Sequence, residues 1–260
     1  MNSNKITIPG AILIFSCHKH KETRLKQFTL SKTDYDGWKV FIIIGNPFLE
    51  NEYEINDNII TIKCEDSYIH ILKKVILSCK IILNLYDVQQ GILRCGDDLI
   101  FNENKLSLFL NKGNKPDYMG LIANYIGSTN IFPKYNNFMP DYFISHPEDL
   151  ENPLNGISYT LDDMKFFNVV PHCSYTGGVV VYLSIKSCII LINHMENINW
   201  NVFQSDKNYG YPYIIEDIGV GFILSINNIN PFSYNLYSDH KKDVENMTHP
   251  SIAYHTNMYK

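Results

Sequence analysis

Alanine is nearly missing from this sequence: three in 260 residues, against 35 Ile and 29 Asn. That skew follows AT-rich codons and speaks of a genome, not of a chemistry. Long apolar runs are missing as well. A membrane span needs roughly 18 or more apolar residues and a secretory core roughly 7–15. The first apolar run here, residues 11–15, is five long, and a later one, residues 179–185, is broken by Tyr182 and Ser184. The expectation is a cytoplasmic chain with no leader and no membrane span, in which Asn246-Met247-Thr248 is a chance glycosylation sequon. A CxxC pair is absent too. Cys17, Cys64, Cys79, Cys95, Cys173 and Cys188 lie far apart, mostly in apolar stretches, and read as reduced, buried thiols. A basic excess is also lacking. Lys and Arg number 22 against 27 Asp and Glu, a net charge of −5, which argues against a nucleic-acid partner.

What the chain does have is enough apolar side chain for a core: 45% apolar and 19% charged residues exclude wholesale disorder. Residues 11–16 and 38–45 are short continuous apolar runs, as in strands buried on both faces. Residues 59–63 suggest a third strand. Glu65-Asp66-Ser67 offers capping chemistry to a helix over 68–83, where Ile69, Leu72, Val75, Ile76 and Cys79 recur at helical spacing. Residues 91–94 form a further strand, stopped by Gly96-Asp97-Asp98. Strand, helix and strand at these distances predict a mostly parallel α/β sheet flanked by helices. Residues 110–170 are irregular in texture, and two apolar blocks follow at 177–184 and 214–224. With no repeat or sharp linker, the expectation is one domain of two halves, about 1–105 and 106–260.

Three constellations could carry chemistry. Asp97 and Asp98 are adjacent carboxylates at the carboxyl end of a buried strand, where open α/β sheets bind ligands. They read either as an ordinary turn or as a pair held ionised by Mg²⁺ or Mn²⁺ shared with a diphosphate. An RNA-polymerase Gly-Asp-Asp hairpin is excluded by the chain's size and acidity. Gly177 and Gly178 read as a tight turn or as a close approach of ligand to backbone. Glu216 and Asp217, inside an apolar block, read as a helix start or as cleft acids, one of them a general base. His18 and His20 alternate with lysines and read as a solvated loop; His255 stands alone near the end of the sequence.

In order, these pieces resemble the inverting glycosyltransferases of family 31, the β-1,3-galactosyl-, N-acetylglucosaminyl- and fringe-type enzymes. The resemblance runs over roughly residues 11–256. Residues 12–17, Arg24 and residues 41–45 are similar to the family's first strand, Arg-containing helix and second strand. Asp66-Ser67-Tyr68 through Leu72-Lys73-Lys74 looks like its Asp-Tyr-x-x-Leu-x-x-Lys stretch. Arg94-Cys95-Gly96-Asp97-Asp98 partly matches Lys-x-Asp-Asp-Asp, with Gly96 in place of the first Asp. Gly177-Gly178 through Tyr182 and Ser184 is similar to the Gly-Gly-Gly-Tyr-x-x-Ser block. Glu216-Asp217-Ile218-Gly219-Val220-Gly221 looks like Glu-Asp-Val-x-x-Gly, and His255 matches a late metal-ligating His.

The resemblance implies a GT-A-type fold, with a Rossmann-like nucleotide-sugar-binding half, and transfer of a hexose or N-acetylhexosamine from a UDP-sugar to a hydroxyl of a glycan or other acceptor, with inversion. It implies Mn²⁺ or Mg²⁺ on Asp98 and His255 with Asp97 assisting, Asp217 as base with Glu216 orienting, and Arg24, Arg94, Asp97, Gly177 and Gly178 near the donor. Animal members of the family are membrane-anchored, whereas the expectation for this sequence is no anchor. The alternative from another class is a catalytically silent nucleotide-sugar or glycan-binding module of the same fold.

Overall fold

The apolar runs do become strands, stacked side by side. In the computed structural model, residues 5–27, 30–124, 138–157, 160–164, 173–197 and 213–256 are described. The first strands are β1 (Ile6–Phe15), β2 (Asp34–Tyr35), β3 (Trp38–Gly45), β4 (Tyr53–Asn56) and β5 (Ile59–Ile62). Next come β6 (Tyr86–Gly96), β7 (Leu99–Phe101), β8 (Tyr118–Asn124) and β9 (Tyr175–Ser184). Three short strands close the chain: β10 (Phe232–Ser233), β11 (Tyr237–Ser238) and β12 (Ala253–His255). The longer helices are α1 (Ile71–Leu85), α2 (Glu103–Leu110), α3 (Phe138–Ser145), α4 (Ile185–Glu196) and α5 (Glu216–Ile226).

One nine-stranded sheet runs β10-β8-β9-β6-β1-β3-β5-β4, with β2 paired on β3. Its centre, β6-β1-β3-β5, is parallel. The antiparallel strand β9 then joins β6 to β8, so both halves of the chain share a single sheet. Strand alternation divides the core. Leu13 and Phe15 of β1 face α1, α4 and α5, while Ile12 and Ile14 face α2 and Trp38. Helices on both faces are what a buried parallel sheet requires. Backbones approach closely where β6 meets β9: a Cβ on Gly91 would lie 2.2 Å from the Leu183 carbonyl oxygen.

Two local expectations are corrected. The strand expected at 91–94 begins at Tyr86. The helix expected over 68–83 starts at Ile71, after a 3₁₀ turn at Tyr68–His70, and Ser67 makes no side-chain cap. Asp66 does not cap either, because it is drawn inward. Its carboxylate accepts the Gly45 and His18 N–H groups, each at 2.8 Å, and pairs with Lys74. Lys74 Nζ also donates to the Ser16 carbonyl at 3.0 Å. Burial works against the charge on Asp66, but the His18 hydrogen bond and the Lys74 charge hold its carboxyl below the ordinary value. This knot ties the carboxyl ends of β1 and β3 to α1. Asp66→Asn would leave Lys74 buried without its counter-charge, at a cost of about 3–5 kcal/mol. Urea unfolding checks it, and a loss under ~1 kcal/mol contradicts the role.

Candidate active site

The parallel strands deliver their carboxyl ends to a cavity of about 380 Å³. That edge of an open α/β sheet is where ligands bind. The segments after β1 and β6, the start of β9 and the start of α5 all line it, and so does His255 from the end of the described chain.

Asp97 and Asp98 connect β6 to β7 and diverge. Asp97 turns beneath β1, where its Oδ2 accepts from Ser16 Oγ at 2.7 Å and lies 3.2 Å from His20 Nδ1. Its Oδ1 accepts from Arg24 Nη1 at 3.2 Å. Burial opposes the charge on Asp97, but the hydrogen bonds from His20 and Ser16 and the charges of His20 and Arg24 hold its carboxyl below the ordinary value. Burial likewise opposes a charged His20. Hydrogen bonds to Asp97 and Cys17 overcome it and push the imidazole up to about 9.

Asp98 faces the other way. Its Oδ2 lies 3.1 Å from His255 Nε2, and His255 Nδ1 lies 3.0 Å from Asp239. The hydrogen bond to Asp98 raises the His255 imidazole, against burial. This meeting across 157 residues comes from a small second sheet, β11-β12-β7, in which His255 pairs with Leu99. Gly96 fits the same geometry, since a Cβ there would lie 2.8 Å from Asp98 Oδ1. An Asp at position 96 would push Asp98 out of this pose.

The apolar block at 214–224 is helical, and its two acids occupy the first turn of α5 while also lining the cavity. Glu216 Oε2 accepts from Arg94 Nη2 at 2.8 Å, and the guanidinium lies 5.3 Å from the Phe15 ring centre. The chain has two arginines. Both are buried, and each grips one site acid: Arg24 holds Asp97 and Arg94 holds Glu216. Burial pushes the Glu216 carboxyl up while Arg94 pulls it down. Asp217 has no ion pair among the described residues, and its Oδ1 accepts the Ile218 N–H at 3.0 Å. Burial first, then the charge of Glu216, push its carboxyl up to about 7.

Gly178 and Gly177 differ in what they permit. A Cβ on Gly178 would lie 2.7 Å from Glu216 Oε2, so its absence makes room for the Arg94–Glu216 pair. A Cβ on Gly177 would meet nothing closer than 3.6 Å. The solvated-loop reading of His18 and His20 is corrected: both line the cavity, with Lys19 between them on a 3₁₀ turn. Their position directly after a strand buried to its carboxyl end was the signal for this. Tyr68 and Tyr142 were missed as well. They stack at 5.3 Å between ring centres on the cavity wall, joining segments with no sequence relation.

Asp98 and His255 present one carboxylate oxygen and one imidazole nitrogen side by side. Asp239 orients that imidazole through its second nitrogen, as carboxylates behind metal-binding histidines do. This donor set suits a hard or borderline divalent cation. Among the described residues, no group of three or more His, Cys, Asp or Glu is arranged to hold a metal. Asp97 has hydrogen bonds on both oxygens, so Asp98 and His255 are the readiest two ligands the cavity offers a cation.

No known protein family and no curated protein matches the chain. Among the described residues, no helix is long and apolar enough to cross a membrane.

Gly178→Ala forces Glu216 away from Arg94 and destabilises the fold by about 1–3 kcal/mol, measurable by denaturant unfolding; unchanged stability contradicts the packing. For Asp217, the folded carboxyl titrates near 7 against an ordinary 3.8. The folded state therefore binds more protons than the unfolded chain between those values, and stability falls as pH rises through that window. Asp217→Asn is expected to flatten this fall and to exceed wild type at pH 8 by ~1 kcal/mol or more. A variant less stable than wild type at pH 8 contradicts the assignment.

Proposed function

We propose that the chain is a metal-dependent sugar transferase of GT-A type that uses a nucleotide-diphosphate sugar and inverts the configuration of the transferred sugar. One observation carries the reading: Asp97, Asp98, Gly177, Gly178, Glu216, Asp217 and His255, scattered over 159 positions (255 − 97 + 1), line one cavity at the carboxyl end of the sheet. The proposed donor is a UDP-sugar carrying a hexose or N-acetylhexosamine, and the acceptor is a glycan hydroxyl, with a β-1,3 linkage.

Asp98 and His255 would hold Mn²⁺ or Mg²⁺ together with the donor phosphates. When bound, such a cation offsets the charge that develops on the leaving diphosphate. The remaining work falls to side chains. Asp217, with no ion pair among the described residues and titrating near 7, removes the proton from the acceptor hydroxyl at a pH where it is both basic and largely ionised. The hydroxyl oxygen attacks the anomeric carbon from the face opposite the diphosphate. One C–O bond forms as the other breaks, and the proton stays on Asp217. Glu216, held by Arg94, stays in place and orients. Asp97, fixed by Ser16, His20 and Arg24, gives the nucleotide side a rigid wall. Gly177 leaves the sugar room near the backbone.

Purified protein is expected to turn over a UDP-sugar with Mn²⁺ or Mg²⁺ and to stop on chelation. Its rate should rise with pH to a plateau above about 7. Asp217→Asn should keep UDP affinity and lose at least about 10²-fold in turnover, whereas Asp98→Ala should lose the cation-dependent part of that affinity. Near wild-type turnover by Asp217→Asn overturns the base. Cation-dependent binding with no turnover by wild type would replace the transferase with a nucleotide-sugar-binding module.

A further inference from the structure

Sharing Arg94, Gly178, Glu216 and Asp217 with the cavity is a much smaller void of about 10 Å³. Arg94, Tyr118, Thr176, Gly178, Glu216 and Asp217 supply its polar wall, and Val181, Leu183 and Val220 complete it. That is about the volume one water centre needs, roughly 10–15 Å³, and a buried water needs two to four polar partners.

The wall has an unmet donor. Among the described residues, Arg94 Nε is the one buried side-chain nitrogen or oxygen without a hydrogen-bond partner. Arg94 is 6% exposed and its Nη2 is committed to Glu216, so Nε–H cannot turn to solvent. An unmet buried donor costs about 1–3 kcal/mol, and a charged one more. Asp217, on the same wall, has an oxygen beyond the one that accepts from Ile218. Tyr118, also on this wall, is buried. Its hydroxyl accepts from the Thr176 N–H at 2.9 Å and from the Thr176 hydroxyl at 3.0 Å, which leaves its own proton directed away from Thr176. Two donors and two carboxylates around a void of one water's size suit water better than an anion.

We propose that one ordered water fills this void, accepting from Arg94 Nε–H and donating to the Asp217 carboxylate, with the Tyr118 hydroxyl as its third partner. The water couples the Arg94–Glu216 pair to Asp217, so one guanidinium serves both acids: Glu216 directly, Asp217 through the water. Tyr118 then acts as a positioning residue for Asp217. The site does not depend on the transferase reading, since it concerns the protein's own groups.

A crystal structure of the wild-type protein tests the water, and carboxyl ¹³C NMR titration of Asp217 tests the coupling. The expected density shows a water within hydrogen-bond reach of Arg94 Nε and Asp217. Loss of a donor to the ionised carboxylate favours its protonated form. Tyr118→Phe and Arg94→Lys should therefore each raise the proton affinity of Asp217 by roughly three- to tenfold. A merely structural Tyr118 would leave that titration unmoved. A dry void, Arg94 Nε bonded directly to protein, or a folded variant pair with wild-type titration overturns the proposal. Should neither variant fold, the wild-type density decides alone.

Discussion

Charge cannot be buried uncancelled, and the cleft is built around that constraint. Asp66 has Lys74, Asp97 has Arg24 and His20, Asp98 has His255, and Glu216 has Arg94. The last three sets also join elements far apart in sequence, so there neutralising the charges and assembling the site are one event. Asp217 is the exception. With no ion pair of its own among the described residues, it meets the constraint by protonation near neutral pH, the property a general base needs. An acid left costly in this way is a weak point for stability, and in the proposed transferase it is the base.

The sheet was legible because its strands are continuous apolar runs, and buried parallel strands need no polar alternation. Residues 38–45 read as a strand at the bounds it has, while the strand read at 11–16 begins earlier, at Ile6, and ends at Phe15. The start of α1 was misread because Glu65-Asp66-Ser67 has capping composition. Tertiary contacts with Gly45, His18 and Lys74 claimed Asp66 first. Local propensity loses wherever a buried cation offers a carboxylate more than a helix end does.

The candidate site was legible in its pieces but not in its partnerships. Adjacent acids after a strand and acids inside an apolar block could be singled out from sequence alone. That Asp97 and Asp98 face opposite ways could not, because β7 and β12 must first pair to bring His255 across. The His18–His20 turn was hidden by its lysines, which resemble a solvated face. Gly178 carried a signal whose meaning needed the fold: the missing Cβ makes room for Glu216 beside Arg94 on the cavity wall.

In the proposed transferase, Asp98 and His255 hold a cation and Asp217 is the base, within one cavity. The cavity is then expected to take a nucleoside diphosphate only when a divalent cation joins Asp98 and His255. Calorimetric titration of UDP into the protein, with Mn²⁺ and then with chelator, measures this directly. Micromolar binding with Mn²⁺ that weakens at least about tenfold under chelation, a difference of ~1.4 kcal/mol, is the predicted result. UDP affinity that is equal in both conditions, or absent from both, would contradict it.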